Sequence, residues 1–95
     1  MITKERVIET LKTCNDPELG IDVWTLGLIY AVALGKDKAK ITMTFTTPLC
    51  PYGPMLVEEI RSRVMGCGAK EVAVEVVFTP PWKPSEDVKE MLGMS

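Results

Sequence analysis

From Lys40 to Thr46 the chain alternates without a break, with Ile41, Met43 and Phe45 against Thr42, Thr44 and Thr46. A period of two marks a strand with one buried and one wet face, so the stretch needs a sheet and a cover for its apolar side. Upstream, Leu26 to Leu34 is dense in Leu, Ile, Tyr and Val and reads as a second strand. Gly35-Lys36-Asp37-Lys38, between the two, has the composition of a hairpin turn.

The cover comes from helices. Thr3 can cap one running to about Thr13, with Val7, Ile8 and Leu11 on one face. Asn15-Asp16-Pro17 stops it, because proline disfavours the helical region for the residue before it. Glu18 to Trp24 then reads as a loop. Thr47 to Pro54 is a proline-studded turn that leads into a second helix. Its buried stripe is Leu56, Ile60 and Val64, with Val57 beside them, and Glu58, Glu59, Arg61 and Arg63 form the wet face. Gly66-Cys67-Gly68 ends it through a glycine cap. A third strand is predicted at about Glu71–Phe78, broken by Pro80-Pro81. Pro84-Ser85 starts a short last helix with Val88, Met91 and Leu92 as its apolar face.

The order is therefore α-β-β-α-β-α. The helical crossover makes the second and third strands parallel. For 95 residues the compact solution is one α+β domain spanning residues 1–95, a three-stranded mixed sheet with helices packed on one face.

Composition removes whole classes of function. A net charge of −2 gives no basic footprint for a phosphate backbone, so no nucleic-acid partner is expected. No apolar run reaches the ~18 residues of a membrane span, and Met1 to Arg6 has no apolar core of a signal peptide. The chain has no histidine, which removes imidazole metal sites and Cys-His dyads. Chemistry must come from carboxylates, hydroxyls and three thiols.

Those thiols are Cys14, Cys50 and Cys67, an odd number with no Cys-x-x-Cys pair. That argues against a disulfide framework or a zinc knuckle and for a reducing cytoplasm. Cys50 follows a strand and immediately precedes a helix, with Pro51 suited to the first helical turn. Unpaired amides and the partial positive charge of a helix N-terminus favour thiolate there, a nucleophile or soft-metal ligand. The competing reading is a small buried hydrophobe. Cys14 and Cys67 fall at helix C-termini, where the dipole raises a thiol pKa, and read as structural.

Asp16 and Glu18 flank Pro17 in a turn, where a carboxylate pair can hold a metal or move protons. Asp before Pro is also an ordinary turn former. Thr42 and Thr44 read as strand residues on a solvated face. Thr46 and Thr47 differ because they approach Cys50 within one turn of chain. Trp24 and Trp82 read as core-edge residues, with a partner surface as the alternative. Met43, Met55, Met65 and Met91 read as core packing.

Four segments in order, Asp16-Pro17-Glu18-Leu19, Leu26 to Tyr30, Thr44 to Pro51 and Pro80-Pro81-Trp82, closely resemble the iron–sulfur cluster assembly factor family, the SufT- and PaaD-like metal–sulfur cluster biosynthetic proteins. The resemblance covers residues 4–84. It implies the α+β fold and a carrier or adaptor that matures iron–sulfur clusters. It places the motif cysteine on Cys50 as thiolate and metal ligand, the acidic pair on Asp16 and Glu18, and the strand-end hydroxyls on Thr46 and Thr47, all around the start of the second helix. It further implies a transient iron–sulfur cluster or iron as cofactor, with no nucleotide and no zinc. The implied partners are the iron–sulfur assembly machinery and client apo-proteins, in the cytoplasm and away from membranes. Thr25 stands where the family often has an acidic or amide residue, and the cysteine-rich tail of PaaD-like relatives is absent from the sequence.

Clusters normally take four thiolates, so one activated cysteine per chain predicts a homodimer contributing two copies of Cys50, with the remaining ligands from a small thiol or a client. Two other readings compete. One is an interaction module that binds no cluster. The other is a thiol enzyme with Asp16 or Glu18 as base, which is disfavoured because an ordinary carboxylate is too acidic to deprotonate a thiol efficiently at neutral pH.

Overall fold

In the computed structural model, which describes residues 2–46 and 51–93, the elements follow the predicted order. They are α1 (Lys4–Leu11), β1 (Ile29–Leu34), β2 (Lys38–Met43), α2 (Gly53–Met65), β3 (Glu71–Val76) and α3 (Glu86–Met91). The sheet order is β1-β2-β3, so β2 is central, antiparallel to β1 and parallel to β3. The architecture is a small α+β domain with a mixed sheet.

Burial follows the sequence pattern most closely at β2, where Ala39, Ile41 and Met43 are buried and Lys38 and Lys40 are exposed. The buried side joins one core with Val7 and Leu11 of α1, Leu56, Ile60 and Val64 of α2, and Val88 of α3. The other side carries Ala31, Ala33 and Ala73 in the open, with ion pairs Lys38–Glu71 at 3.4 Å and Lys40–Glu75 at 3.6 Å across β2 and β3. Among the described residues no helix is long and apolar enough to cross a membrane.

The caps explain the helix bounds. Thr3 Oγ1 accepts from Arg6 N at 3.2 Å and starts α1; Ser85 Oγ accepts from Val88 N at 3.2 Å and starts α3. α1 stops two residues before the predicted Thr13, because Thr13 N turns to Thr10 O at 2.9 Å and Cys14 N to Leu11 O at 3.1 Å, the tighter bonding of a helix end. In α2 the proline of the first turn is Pro54 rather than Pro51, since the helix begins at Gly53 with Tyr52 as its N-cap.

Several expectations fail for identifiable reasons. Leu26 to Leu28 was expected in the first strand and instead lies before β1. Leu26 N bonds Asp22 O at 3.0 Å and Leu28 N bonds Val23 O at 3.1 Å, with Gly27 at φ +76° making the bend. Both leucines are buried, so the apolar run satisfies its burial from a turn. Thr44, expected on the wet face, is 1% exposed. It lies past the end of β2, where the 78–82 segment folds over the strand end and lines a cavity with it. Of the methionines assigned to the core, only Met43 is there; Met55, Met65 and Met91 are exposed, Met91 at 60%. α3 is a helix of 6 residues that buries only Val88 fully, which leaves Met91 beyond reach of the core.

One close approach fixes where α2 begins. A Cβ on Gly53 would stand 2.6 Å from the Phe45 ring, so the end of β2 lies directly on the first helical residue. Gly53→Ala adds up to ~1 kcal/mol of helix propensity and incurs ~1–3 kcal/mol of overpacking. Overpacking wins. The urea midpoint of Gly53→Ala should fall, and the same substitution in a Phe45→Leu background should lower it less.

Candidate functional site

Of the predicted site residues, Thr46 lies past the end of β2, and Asp16 and Glu18 lie in a turn that reaches Tyr52, the residue before α2. Thr46 is half-buried there, one residue past Phe45. Thr47 and Cys50 lie outside the described residues. Pro51 and Tyr52 precede α2. The Asp16–Gly20 turn joins them through one bond, in which Tyr52 Oη donates to Glu18 Oε2 at 3.1 Å. The acidic turn therefore does converge on the start of α2.

The two carboxylates divide their work. Asp16 is 2% exposed, and its Oδ1 accepts from Glu18 N at 2.8 Å and Leu19 N at 3.1 Å. Its backbone closes the same turn, Asp16 N donating to Ile21 O at 2.9 Å and Gly20 N to Asp16 O at 2.8 Å. Asp16 is thus the turn former of the two readings weighed above: its side chain organises backbone. Glu18 is exposed and points to Tyr52. Its role is at the surface of the site. Replacing Asp16 by Ala strands two amide donors and should cost about 2–3 kcal/mol. Asp16→Asn keeps the acceptor and should cost less than about 1 kcal/mol. Chemical denaturation of both variants checks the order, and equal losses would contradict the turn-forming role.

A second set of residues builds the opposite wall, and the sequence reading missed how they connect. Phe45 meets Phe78 edge to face with centroids 6.2 Å apart. Trp82 Nε1 donates to Leu26 O at 2.6 Å, and Tyr30 Oη donates to Pro80 O at 2.8 Å. These two bonds tie the Pro-rich segment after β3 back to the start of β1. Trp82 is thereby the core-edge residue it was read as, with its polar handle satisfied. Tyr52 carries no periodic signal and is marked only by its place between Pro51 and Gly53, whereas Phe78 continues the alternation of Val72, Val74 and Val76.

The remaining thiols are structural. Cys14 is buried, and burial pushes its thiol pKa up; Glu59 adds to the rise, while Arg63 and Thr13 oppose it. The direction matches the helix-end argument, but the main cause is desolvation. Cys67 is buried too, with Sγ 2.8 Å from Thr10 Oγ1. Among the described residues no three His, Cys, Asp or Glu side chains are grouped to hold a metal ion. A thiol whose pKa is higher folded than unfolded stabilises the fold below the unfolded pKa, and that contribution is lost as pH rises through the folded pKa. Stability should therefore decline above about pH 9, the ordinary thiol value. In Cys14→Ala this part of the decline should vanish, read as a flatter melting temperature against pH from 8 to 10.5.

Comparison with known proteins places this geometry. The family model described as iron-sulfur cluster assembly protein matches residues 4–76. The chain is 39% identical over 96 residues to the Fe-S protein maturation auxiliary factor of Porphyromonas gingivalis, covering 96% of this chain and 91% of that one. It is 38% identical over 96 residues to the Fe-S protein maturation auxiliary factor YitW of Bacillus subtilis, covering 96% and 94%. A Synechocystis protein named iron-sulfur cluster carrier protein is 30% identical over 94 residues, which is 98% of this chain and 27% of that one. A solved structure of a conserved hypothetical protein from Thermotoga maritima superposes with a TM-score of 0.86 at 38% identity, covering 98% of this chain and 96% of that one. The chain shares the fold of such a relative and belongs to the iron–sulfur cluster assembly protein family.

Proposed function

We propose that this protein matures iron–sulfur proteins, acting as a carrier or adaptor that passes clusters to client apo-proteins. The observation that carries the reading is the near full-length similarity to maturation factors. In this reading the cluster is cargo and Cys50 is its thiolate ligand. Elimination and position support this role for Cys50. Cys14 and Cys67 are buried, and Cys50 falls in the sequence between Thr46 and Tyr52, the residue that bonds Glu18. Thr46 and Thr47 flank the cargo, Asp16 holds the acidic turn in shape and Glu18 bounds the site.

One ligating cysteine per chain leaves a cluster under-ligated, so two copies bridge it as a homodimer with a small thiol or a client supplying the remaining ligands, and the assembly machinery and clients are the further partners. The protein works without catalysis of its own. A thiol enzyme would need a base, and Asp16 Oδ1 is taken up by two amides while Glu18 accepts from Tyr52. The cytoplasm is the compartment that fits free thiols.

Anaerobic reconstitution with iron and sulfide tests the reading. The wild type, Cys14→Ala and Cys67→Ala should all gain visible cluster absorbance and roughly double in mass by light scattering. Cys50→Ala should do neither. A chain that stays colourless and monomeric, yet still binds a client apo-protein, would mark an adaptor that ligates no cluster.

A further inference from the structure

Of the chain's three arginines, Arg61 pairs with Glu58 and Arg63 pairs with Glu59 at 3.2 Å, whereas Arg6 has no carboxylate partner among the described residues. Arg6 stands on α1 and lines a groove of about 530 Å³ between that helix and the end of α2. Thr10, Thr13 and Cys67 line the same groove, and Arg63 lines it from the α2 side. One sulfur ties the two sides together. Cys67 Sγ is 3.9 Å from Arg6 O and 3.7 Å from Arg63 O, so the two arginines spring from either side of one buried thiol.

The groove's remaining hydrogen-bonding capacity is mostly donors. Thr10 Oγ1 donates to Arg6 O at 2.8 Å and lies 2.8 Å from Cys67 Sγ. Thr13 Oγ1 donates to Thr10 O at 2.6 Å and accepts from Arg63 Nη1 at 3.2 Å. Glu9, the one carboxylate lining the groove, faces Lys12 at 3.9 Å. Glu59 and Thr13 therefore hold Arg63 in place, while the Arg6 guanidinium keeps its whole fork of N–H donors unused among the described residues. A guest has to bring acceptors. Arg6, Lys12 and Arg63 set against Glu9 and Glu59 leave one positive charge in excess, in a chain whose net charge is −2. One carboxylate matches that excess and the guanidinium fork, whereas a phosphate group would bring close to two negative charges. The groove lies at the end of α2, and the 13 residues of that helix put it about 20 Å from the candidate site at the start. A partner held here leaves that site open.

We propose that this groove docks an acidic segment of a partner protein, with a glutamate or aspartate carboxylate held between Arg6 and Arg63. It rests on the preceding reading only for the identity of the partner as a client or a member of the assembly machinery. The binding needs no cluster, so its test on the cluster-free chain and the reconstitution test fail independently. The full ¹⁵N-labelled protein is titrated at low ionic strength with acetyl-Gly-Glu-Glu-Gly-amide, its neutral counterpart acetyl-Gly-Gln-Gln-Gly-amide, and inorganic phosphate. The Thr10, Gly66 and Cys67 amide resonances should shift saturably with the glutamate peptide. The glutamine peptide should bind about three- to fivefold more weakly, the upper range of an exposed ion pair, and phosphate should also bind more weakly than the glutamate peptide. Arg6 is exposed and its side chain is unpaired, so Arg6→Gln leaves the fold intact and should weaken the glutamate peptide by the same factor. Arg61→Gln removes a cation that faces Glu58 outside the groove and should leave the affinity unchanged. Equal binding of the glutamine peptide, wild-type affinity in Arg6→Gln, an equal loss in Arg61→Gln, tighter binding of phosphate or no saturable shift would each overturn the assignment.

Discussion

β2 is the only strand of the described sheet with neighbours on both edges, and it pairs in opposite senses with them. Its hairpin partner β1 needs only a short turn, closed by Gly35 N donating to Lys38 O at 2.8 Å. Its parallel partner β3 needs a crossover, and α2 is that crossover. The buried side of the crossover helix must lie on the buried side of β2, so Ile41 and Met43 face the same core as Leu56, Ile60 and Val64. A one-residue slip of β2 would turn that whole set outward. The charged side is kept soluble by Lys–Glu pairs that, being exposed, contribute under about 1 kcal/mol each.

The candidate site sits where this arrangement has to change. At Met43 the ladder ends, and within ten residues the chain must reverse into α2. Gly53 allows Phe45 to lie on the helix start, and the Asp16 turn and the 78–82 segment close in from either side. The contacts that shape this end are mostly side chain to backbone: Asp16 to two amides, Trp82 to Leu26 O, Tyr30 to Pro80 O. Such bonds fix loops that propensity alone leaves undetermined. The candidate site residues among those described thus lie on loops held by the sheet, a common division between scaffold and function.

Electrostatics separates the thiols by the same logic. Cys14 lies inside the core, where ionisation would need a charge with little water around it, and Glu59 makes that harder. Cys67 is enclosed against Thr10. Burial makes both inert as ligands. Both thiols among the described residues are thus taken up by the packing of α1 and α2.

The amino-acid sequence by itself determined the element order, the hairpin, the parallel third strand and the capped helices. Each rests on a local periodicity or a local cap: Ile41 and Met43, Thr3, Ser85, the Leu56–Ile60–Val64 stripe. The motif residues were legible through their resemblance to a family, and the convergence of Glu18 on the start of α2 follows that pattern. Tertiary structure decided what local pattern cannot encode. Thr44 alternates as a wet residue but is covered by a segment more than thirty residues away, and Leu26 and Leu28 are apolar enough for a strand yet pack from a turn. The reading of Asp16 as chemical or structural turned on which atoms its carboxylate meets, and those are amides only the folded loop brings together. Periodicity reports which face of an element is buried; it cannot report what lies over its end, because that neighbour is set by the path of the whole chain.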